Sequence, residues 1–314
     1  ILRAAEAARP VASSVGLVSI ALCDHPDIVP ILEGLHRLRY RVSPASLRLD
    51  DLTEPVVRLL VASGERTLTI APEAGSDRLR KVANKPIDNA GIIETADMLF
   101  GNGVENLRLY FMIGLPTEED EDLVAIRDLT LAIRDRMLAR ARARGRVGRI
   151  AASVNVFVPK PGTPWQWLPM ARPDTVARKV RRLRLLVSGL DHVRFSIKSE
   201  RHAAYQALLA VGDRRMARAV EAAEQNGGNW RLAVEEAGLD LDRELYRDRR
   251  DDPVLPWDVV DAGFPRRALR SALECLDCGP AEPGDEPSGS PGLCGGTARD
   301  VSEPHGAAPP PELH

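Results

Sequence analysis

The sequence predicts an α/β fold in which parallel strands alternate with helices, as an open sheet or as part of a β/α barrel. Short apolar segments alternate with amphipathic helices over residues 1–200. These helices are long enough for the right-handed crossovers that join parallel strands. After residue 200 only helical periodicity continues, to about residue 250. In both parallel architectures, ligand sites gather at the carboxyl ends of the strands, so we expect the functional residues there.

Several apolar segments have the length of strands, at residues 16–22, 42–49, 67–71, 106–113, 150–158 and 193–197. We expect neighbours among them to pair in parallel, with helices outside. The segment 106–113 is the clearest, whereas Pro44 argues against a central position for the second strand.

Capping residues mark where the predicted helices begin. Thr53 and Asp88 are suited to cap the helices over 53–64 and 88–103. Thr117 and Asp120 resemble a capping box that opens the longest helix, which continues to about residue 144. Further amphipathic helices are predicted over residues 27–40, 76–83 and 174–190.

The composition is that of an ordinary globular chain. Of 314 residues, 44% are hydrophobic and 28% are charged, which excludes collagen-like and wholly disordered classes. The net charge of -2 disfavours a strongly basic nucleic-acid-binding protein but leaves room for a local basic patch. No apolar run reaches the roughly 18 residues of a membrane span, and no secretory signal is visible, so we expect a cytoplasmic protein without membrane contact.

The sequence divides into three predicted regions. Residues 1–200 form the α/β core, and residues 201–279 form a helical extension that ends in a C-x2-C pair. Residues 280–314 hold 8 prolines and 6 glycines, a composition that predicts a disordered tail.

Polar and turn-forming residues follow four predicted strands, in segments 46–50, 71–77, 112–118 and 158–165. The Glu73 carboxylate could accept a ligand ammonium or a ribose hydroxyl, and Arg48 could bind a carboxylate through two parallel hydrogen bonds. Ser76 is predicted at a helix N-terminus, which favours carboxylate or phosphate groups. The alternative is structural, with Glu73 and Arg48 as an ion pair and Ser76 as a helix cap.

Two glycines in these segments favour the ligand-site interpretation. Gly75 removes a side chain where the backbone would have to approach a ligand. Gly114, together with Pro116, fixes a tight turn whose backbone can meet a flat heterocycle edge-on.

Three segments in order, APEAGSDRLRK (71–81), YFMIGLPTEEDEDL (110–123) and FVPKPGTPW (157–165), resemble the radical S-adenosylmethionine (radical SAM) superfamily. The resemblance covers about residues 15–200. The segment LPWDVVDAGF (255–264) further resembles uncharacterised members that carry a cobalamin-binding-like domain, so cobalamin is a candidate cofactor of a complete protein.

The resemblance implies a partial parallel (β/α)6 barrel and assigns roles to individual residues. Glu73 would contact the methionine amino group or the ribose of SAM, with Ser76 close by, and Arg48 is a candidate for the carboxylate. Ile113 and Gly114 would lie against the adenine. Val158 and Pro159 would offer backbone to its edge.

The resemblance also implies a [4Fe-4S] cluster that reductively cleaves SAM to a 5'-deoxyadenosyl radical. The substrate is unknown, with RNA as one candidate, and the reductant would be a protein such as flavodoxin or ferredoxin. The family's C-x3-C-x2-C cluster motif does not occur in these residues, and Cys23 is the only cysteine before residue 275. Two explanations stay open: ligands upstream of Ile1, which we expect, or a cluster-free, non-catalytic relative that binds SAM or a nucleotide.

The remaining signals each have two interpretations. Cys275, Cys278 and Cys294, with His305, could form an auxiliary metal site or could be exposed reduced thiols. The seven arginines of residues 134–149 could contact nucleic-acid phosphates or could match the helix dipole. Trp165 and Trp167 could line a substrate entrance or could cap the barrel.

Overall fold

A computed structural model describes residues 1–277 except 20, 21, 46, 50, 51, 86, 262 and 264. The chain divides into two compact units, residues 1–260 and residues 261–314. The predicted domain boundaries after residues 200 and 279 stay predictions. Cys278, Cys294, His305 and the predicted tail over 280–314 lie outside the described residues, and so does most of the predicted auxiliary metal site.

The strands of the first unit form two parallel sheets. Strands β1 (Ser14–Leu17) and β2 (Arg41–Pro44) pair with each other. The larger sheet contains four strands in chain order: β3 (Thr67–Glu73), β4 (Asn106–Ile113), β5 (Ile150–Val156) and β6 (Val193–Ile197). The predicted parallel pairing is therefore confirmed. Among the described residues β2 does not pair with β3, so the sheet is interrupted there.

Helices connect the strands and continue beyond them. Those that precede or separate strands are α1 (Leu2–Ala8), α2 (Ile28–Arg37), α3 (Glu54–Ala62), α4 (Asp77–Val82), α5 (Asn89–Gly101), α6 (Asp120–Arg144) and α7 (Pro173–Leu186). After β6 come α8 (Glu200–Val211), α9 (Met216–Gln225), α10 (Trp230–Glu236) and α11 (Leu241–Leu245). The second unit contains α12 (Arg266–Asp277), which includes Cys275.

The two faces of the larger sheet differ. Alternate residues of β4 are fully buried, namely Leu107, Leu109, Phe111 and Ile113, and they belong to the same core as apolar residues of α5 and α6. The intervening Arg108 and Tyr110 are exposed. Helices therefore cover one face, as expected for a partial barrel whose inner face is open. Glu73 ends β3 in phase with the less buried positions of that strand.

Two predicted element boundaries are wrong. The strand predicted over 16–22 ends at Leu17, and Leu22–Asp24 form a 3-10 turn instead. The longest helix begins at Asp120, where Glu119 is the N-cap and Asp122 completes the capping box. Thr117 does not cap it, because its φ is +60° and it lies within the preceding turn. The predicted cap Asp88 is confirmed, since its carboxylate accepts the Gly91 amide at 2.8 Å.

Candidate functional site

Glu73 lies at the carboxyl end of β3 in an unusual backbone conformation. Its φ is +66°, and the pairing of β3 with β4 shifts register between Ile70 and Glu73. Such a conformation is uncommon for residues other than glycine and is often found near functional sites. The Glu73 side chain is 24% exposed, and its Oε1 lies 3.2 Å from Nζ of Lys85. A partly accessible carboxylate thus already binds an ammonium group at the edge of the sheet.

Arg80 holds the turn that follows Glu73. Its guanidinium is fully buried and donates to the carbonyl oxygens of Ala74 at 2.6 Å and Ile87 at 2.9 Å. It also donates to the Asp77 carboxylate and to Asn89 Oδ1. Burial lowers the pKa of Arg80, and the charge of Asp77 opposes that shift. Without Arg80, these acceptors would have no hydrogen-bond donor in its place. Arg80 therefore holds the local backbone in position.

Gly75 has a different role from the one predicted. A Cβ atom at this position would lie 2.1 Å from the Ile126 amide nitrogen and 2.5 Å from the Ala125 carbonyl carbon, both in α6. The missing side chain therefore allows helix α6 to pack on the turn. The prediction that Gly75 makes room for a ligand was wrong, because helix backbone occupies that space.

Ser76 caps helix α4 and belongs to a polar network. Its Oγ accepts the Leu79 amide at 3.1 Å and donates to the carboxylate of Asp122. Arg78 also binds the Asp122 carboxylate and donates to the Thr117 carbonyl at 2.9 Å. This network joins the turn after β3 to the turn after β4. Ser76 is thus a helix cap, as the structural alternative predicted. The proximity of Ser76 to SAM stays a prediction.

The turn after β4 is stabilised by a buried ion pair. Gly114 has a φ of +78°, and its amide donates to Oε2 of Glu118 at 2.7 Å. The same oxygen lies 2.6 Å from Nζ of Lys179, which also donates to the Glu118 carbonyl at 2.9 Å. The side chains of Glu118 and Lys179 are 0% and 6% exposed. Burial raises the pKa of Glu118, although Lys179 and the Gly114 amide act in the opposite direction.

The segment after β5 continues along the same edge. The Phe157 amide donates to the Ile113 carbonyl at 2.8 Å, and the Phe157 ring packs edge-to-face against Trp165 with centroids 5.0 Å apart. Val158 is half-buried and Pro159 is buried. Trp167 is fully buried, which agrees with the capping interpretation and excludes an exposed position at a substrate entrance.

The three motif segments meet in one small apolar cluster, separate from the main core. It contains Ala74 and Leu79 from the first segment and the adjoining Val82, together with Leu115 and Met112 from the second and Phe157 and Trp165 from the third. The motifs that the sequence places far apart are therefore neighbours, at the carboxyl ends of β3, β4 and β5.

Two other predicted site residues, Arg48 and Ile113, lie less favourably for contact with SAM. Arg48 is exposed and follows β2, which belongs to the smaller sheet. The Ile113 side chain is fully buried in the core, so its contact with adenine stays a prediction. Sequence reasoning missed Lys179, which continues the apolar stripe of α7 between Val176 and Val180. A lysine on an apolar stripe is the signal that could have indicated its buried partner.

The described residues do not fit an iron-sulfur cluster. Among them there is no group of three or more His, Cys, Asp or Glu side chains that could hold a metal ion. Cys23 is half-buried against the core. No helix in the described part of the chain is long and apolar enough to cross a membrane.

Comparison with known proteins agrees with the motifs. Residues 1–130 match the family described as the Radical SAM superfamily. This match confirms the recognition made from the segments at 71–81 and 110–123. The resemblance to members with a cobalamin-binding-like domain stays a prediction.

Similar proteins include the uncharacterized protein MJ0966 of Methanocaldococcus jannaschii, which is 36% identical over 154 residues. The match covers 49% of this chain and 32% of that protein, so the chain spans about a third of its relative. Among solved structures, SuiB of Streptococcus suis gives a TM-score of 0.41 at 12% identity. A second SuiB structure, bound to S-adenosylmethionine, gives 0.42 at 13% identity. Each alignment covers 63% of this chain and 42% of SuiB.

Proposed function

We propose that the carboxyl edge of β3, β4 and β5 binds S-adenosylmethionine. The observation that carries the proposal is the single apolar cluster built by the three motif segments, with the Glu73 carboxylate at the end of β3 beside it. Sites for small ligands combine apolar side chains with a few polar groups, and at this edge the partly buried Met112 and Trp165 lie beside the partly exposed Glu73. SAM combines an adenine ring with a methionine ammonium and carboxylate.

Glu73 would bind the methionine ammonium or the ribose. Its contact with the Lys85 ammonium supports this role, because a ligand ammonium can take the same place while Lys85, which is 36% exposed, turns to solvent. The exchange would replace one charge-assisted contact by another. Arg48 is the proposed partner of the SAM carboxylate, and Ser76 would lie nearby as part of the adjoining cap.

The adenine would lie between the turns after β4 and β5. Gly114 and Ile113 form one side, and the peptide groups of Val158 and Pro159 would meet the adenine edge. Within the described residues, Val158 has no backbone hydrogen bond, which leaves its amide and carbonyl available to a ligand. Only glycine adopts a φ of +78° without strain, so Gly114 keeps this turn tight.

The complete protein would be a radical SAM enzyme that reductively cleaves SAM and acts on a substrate still to be identified. Because the described residues do not fit a [4Fe-4S] cluster, we place its three thiolate ligands outside the part of the chain that the structure describes. A flavodoxin or ferredoxin would supply the electron, and the cytoplasm is the proposed location.

The test uses the full-length protein. After anaerobic reconstitution with iron and sulfide, dithionite and SAM are added, and 5'-deoxyadenosine is measured by chromatography. We expect product from the wild type and at least a tenfold lower rate from Glu73→Ala. Glu94→Ala, an exposed acid on α5, is the control and is expected to match the wild type.

The possible outcomes separate the two alternatives. SAM binding without any 5'-deoxyadenosine would favour the cluster-free binding module. Absence of both binding and product, in a preparation that contains iron and sulfide in a 1:1 ratio, would overturn the proposal. Equal rates in wild type and Glu73→Ala would show that Glu73 does not contact SAM.

A further inference from the structure

Three of the seven arginines in the stretch that the sequence singled out for phosphate binding are paired with carboxylates in the structure. Arg134 pairs with Asp135 at 2.7 Å, Arg140 with Asp97 at 2.5 Å and Arg146 with Glu105 at 3.5 Å. The hydrogen bond from Arg140 is the main reason that the pKa of Asp97 is lowered. Carboxylates that already occupy these guanidinium groups would compete with a ligand phosphate.

Unpaired positive charge lies elsewhere, in an open cavity of about 470 Å³ between α7, the end of β6 and the start of α8. Its basic lining residues are Arg181, Arg184, Lys198 and Arg201. All are exposed, and in the described part of the chain none of their side chains takes part in an ion pair or a hydrogen bond. By contrast, Arg178 and Lys179 on the same helix α7, and Arg172 at its N-cap, are each paired with an acid.

The remaining lining residues define what could bind there. Glu200 contributes one negative charge, so the cavity carries four positive charges against one negative. Ala177, Val180 and Ile197 give it an apolar wall. The amides at the start of α8 add positive potential, because Ser199 makes no side-chain cap bond there. A ligand with two or more negative charges and a modest apolar part fits this lining.

We propose that this cavity binds the phosphate groups of a ligand other than SAM. An arginine guanidinium group can bind a phosphate group through two parallel hydrogen bonds, and Lys198 adds a further positive charge. The phosphates could belong to a free diphosphate-bearing molecule or to a nucleic-acid strand, and both share this chemistry. The inference does not depend on SAM binding at the other site.

The experiment compares this chain with two charge-matched double variants. Arg181→Gln with Arg184→Gln removes two cavity charges. Arg218→Gln with Arg231→Gln removes two exposed charges from α9 and α10 and serves as the control. Inorganic pyrophosphate is titrated by calorimetry, and a 12-nucleotide single-stranded RNA by fluorescence anisotropy, both at 50 mM salt. Circular dichroism checks that all three proteins are folded.

We expect the cavity variant to bind at least one probe tenfold or more weakly than the wild type, while the control loses less than threefold. Loss confined to pyrophosphate identifies a small ligand as the source, and loss confined to RNA identifies a strand. For RNA that contacts three or four of these cations, the logarithm of affinity should fall against the logarithm of salt with a slope of about -2 to -3. Equal losses in both variants, or no binding of either probe to the wild type, would overturn the proposal.

Discussion

The turns after β3 and β4 contain the same kinds of residue but use them differently. An acid and a glycine are prominent in each: Glu73 and Gly75 in the first, Glu118 and Gly114 in the second. Glu73 is partly exposed and pairs loosely with the half-exposed Lys85, whereas Glu118 is fully buried against Lys179. Gly75 is required by close helix contact, and Gly114 by its positive φ.

This difference separates a residue that can bind a ligand from one that shapes the site. Glu73 can exchange Lys85 for another cation at low cost, because surface ion pairs contribute little. Glu118 cannot, since removing its partner would leave a buried charge uncompensated. We infer that the first acid contacts the ligand and that the second holds the Gly114 turn in place.

The largest expected effect comes from breaking the buried pair. Lys179→Met leaves the Glu118 carboxylate buried without its ammonium partner and should lower the free energy of unfolding by about 3–5 kcal/mol. Chemical denaturation measures this change. Lys81→Met, at an exposed position on α4, is the control and should change stability by less than about 0.5 kcal/mol. A loss below about 1 kcal/mol in Lys179→Met would mean that Glu118 does not depend on this partner.

The next effect concerns the helix contact at Gly75. A methyl group there meets the Ile126 backbone, which cannot rotate away, so Gly75→Ala should destabilise the chain by about 1–3 kcal/mol. Gly16→Ala is the matched control, because nothing lies within 4 Å of its added Cβ. If thermal unfolding shows equal stability for the two variants, α6 does not pack on this turn as described.

A smaller effect should appear as a pH dependence. Because burial raises the pKa of Glu118, this carboxyl group loses its proton at a higher pH in the folded chain than in the unfolded chain, where its ordinary value is about 4.5. Stability due to this group is therefore fully present below that pH and declines as pH rises through the folded pKa. Glu118→Gln removes the titration. The difference in unfolding free energy, wild type minus variant, should fall as the pH rises above about 4.5; a flat or rising difference would contradict the shift.

The smallest stability effect is expected at Glu73. Its partly exposed pair with Lys85 should contribute less than about 1 kcal/mol to stability. The free energy of unfolding of Glu73→Gln should therefore differ from that of the wild type by less than this amount. Urea titration provides the measurement. A larger loss would assign Glu73 a structural role like that of Glu118 and would weaken its assignment to a ligand.

Local sequence patterns predicted the elements that depend on local periodicity. Strand β4 begins and ends at the predicted residues, because Leu107, Leu109, Phe111 and Ile113 alternate with less buried residues. The same approach failed near residue 20, where the apolar run continues beyond β1 into a 3-10 turn.

Contacts between distant residues could not be predicted in this way. Lys179 reaches Glu118 across 61 positions of sequence, and Gly75 is required by a helix that begins 45 residues later. Because parallel strands end at the same edge of a sheet, the sequence predicted that Glu73 and Gly114 lie close to the same ligand. It did not show which acid is buried, because burial depends on how α7 packs.

Calorimetric titration of SAM into this chain, wild type and Glu73→Gln, tests the central claim most directly. Without a cluster we expect weak binding by the wild type. Loss of the charge-assisted contact in Glu73→Gln should weaken that binding by about tenfold or more, while Glu94→Gln should bind like the wild type. Equal affinity of wild type and Glu73→Gln would contradict the account, because the accessible acid of the first turn would then not contact the ligand.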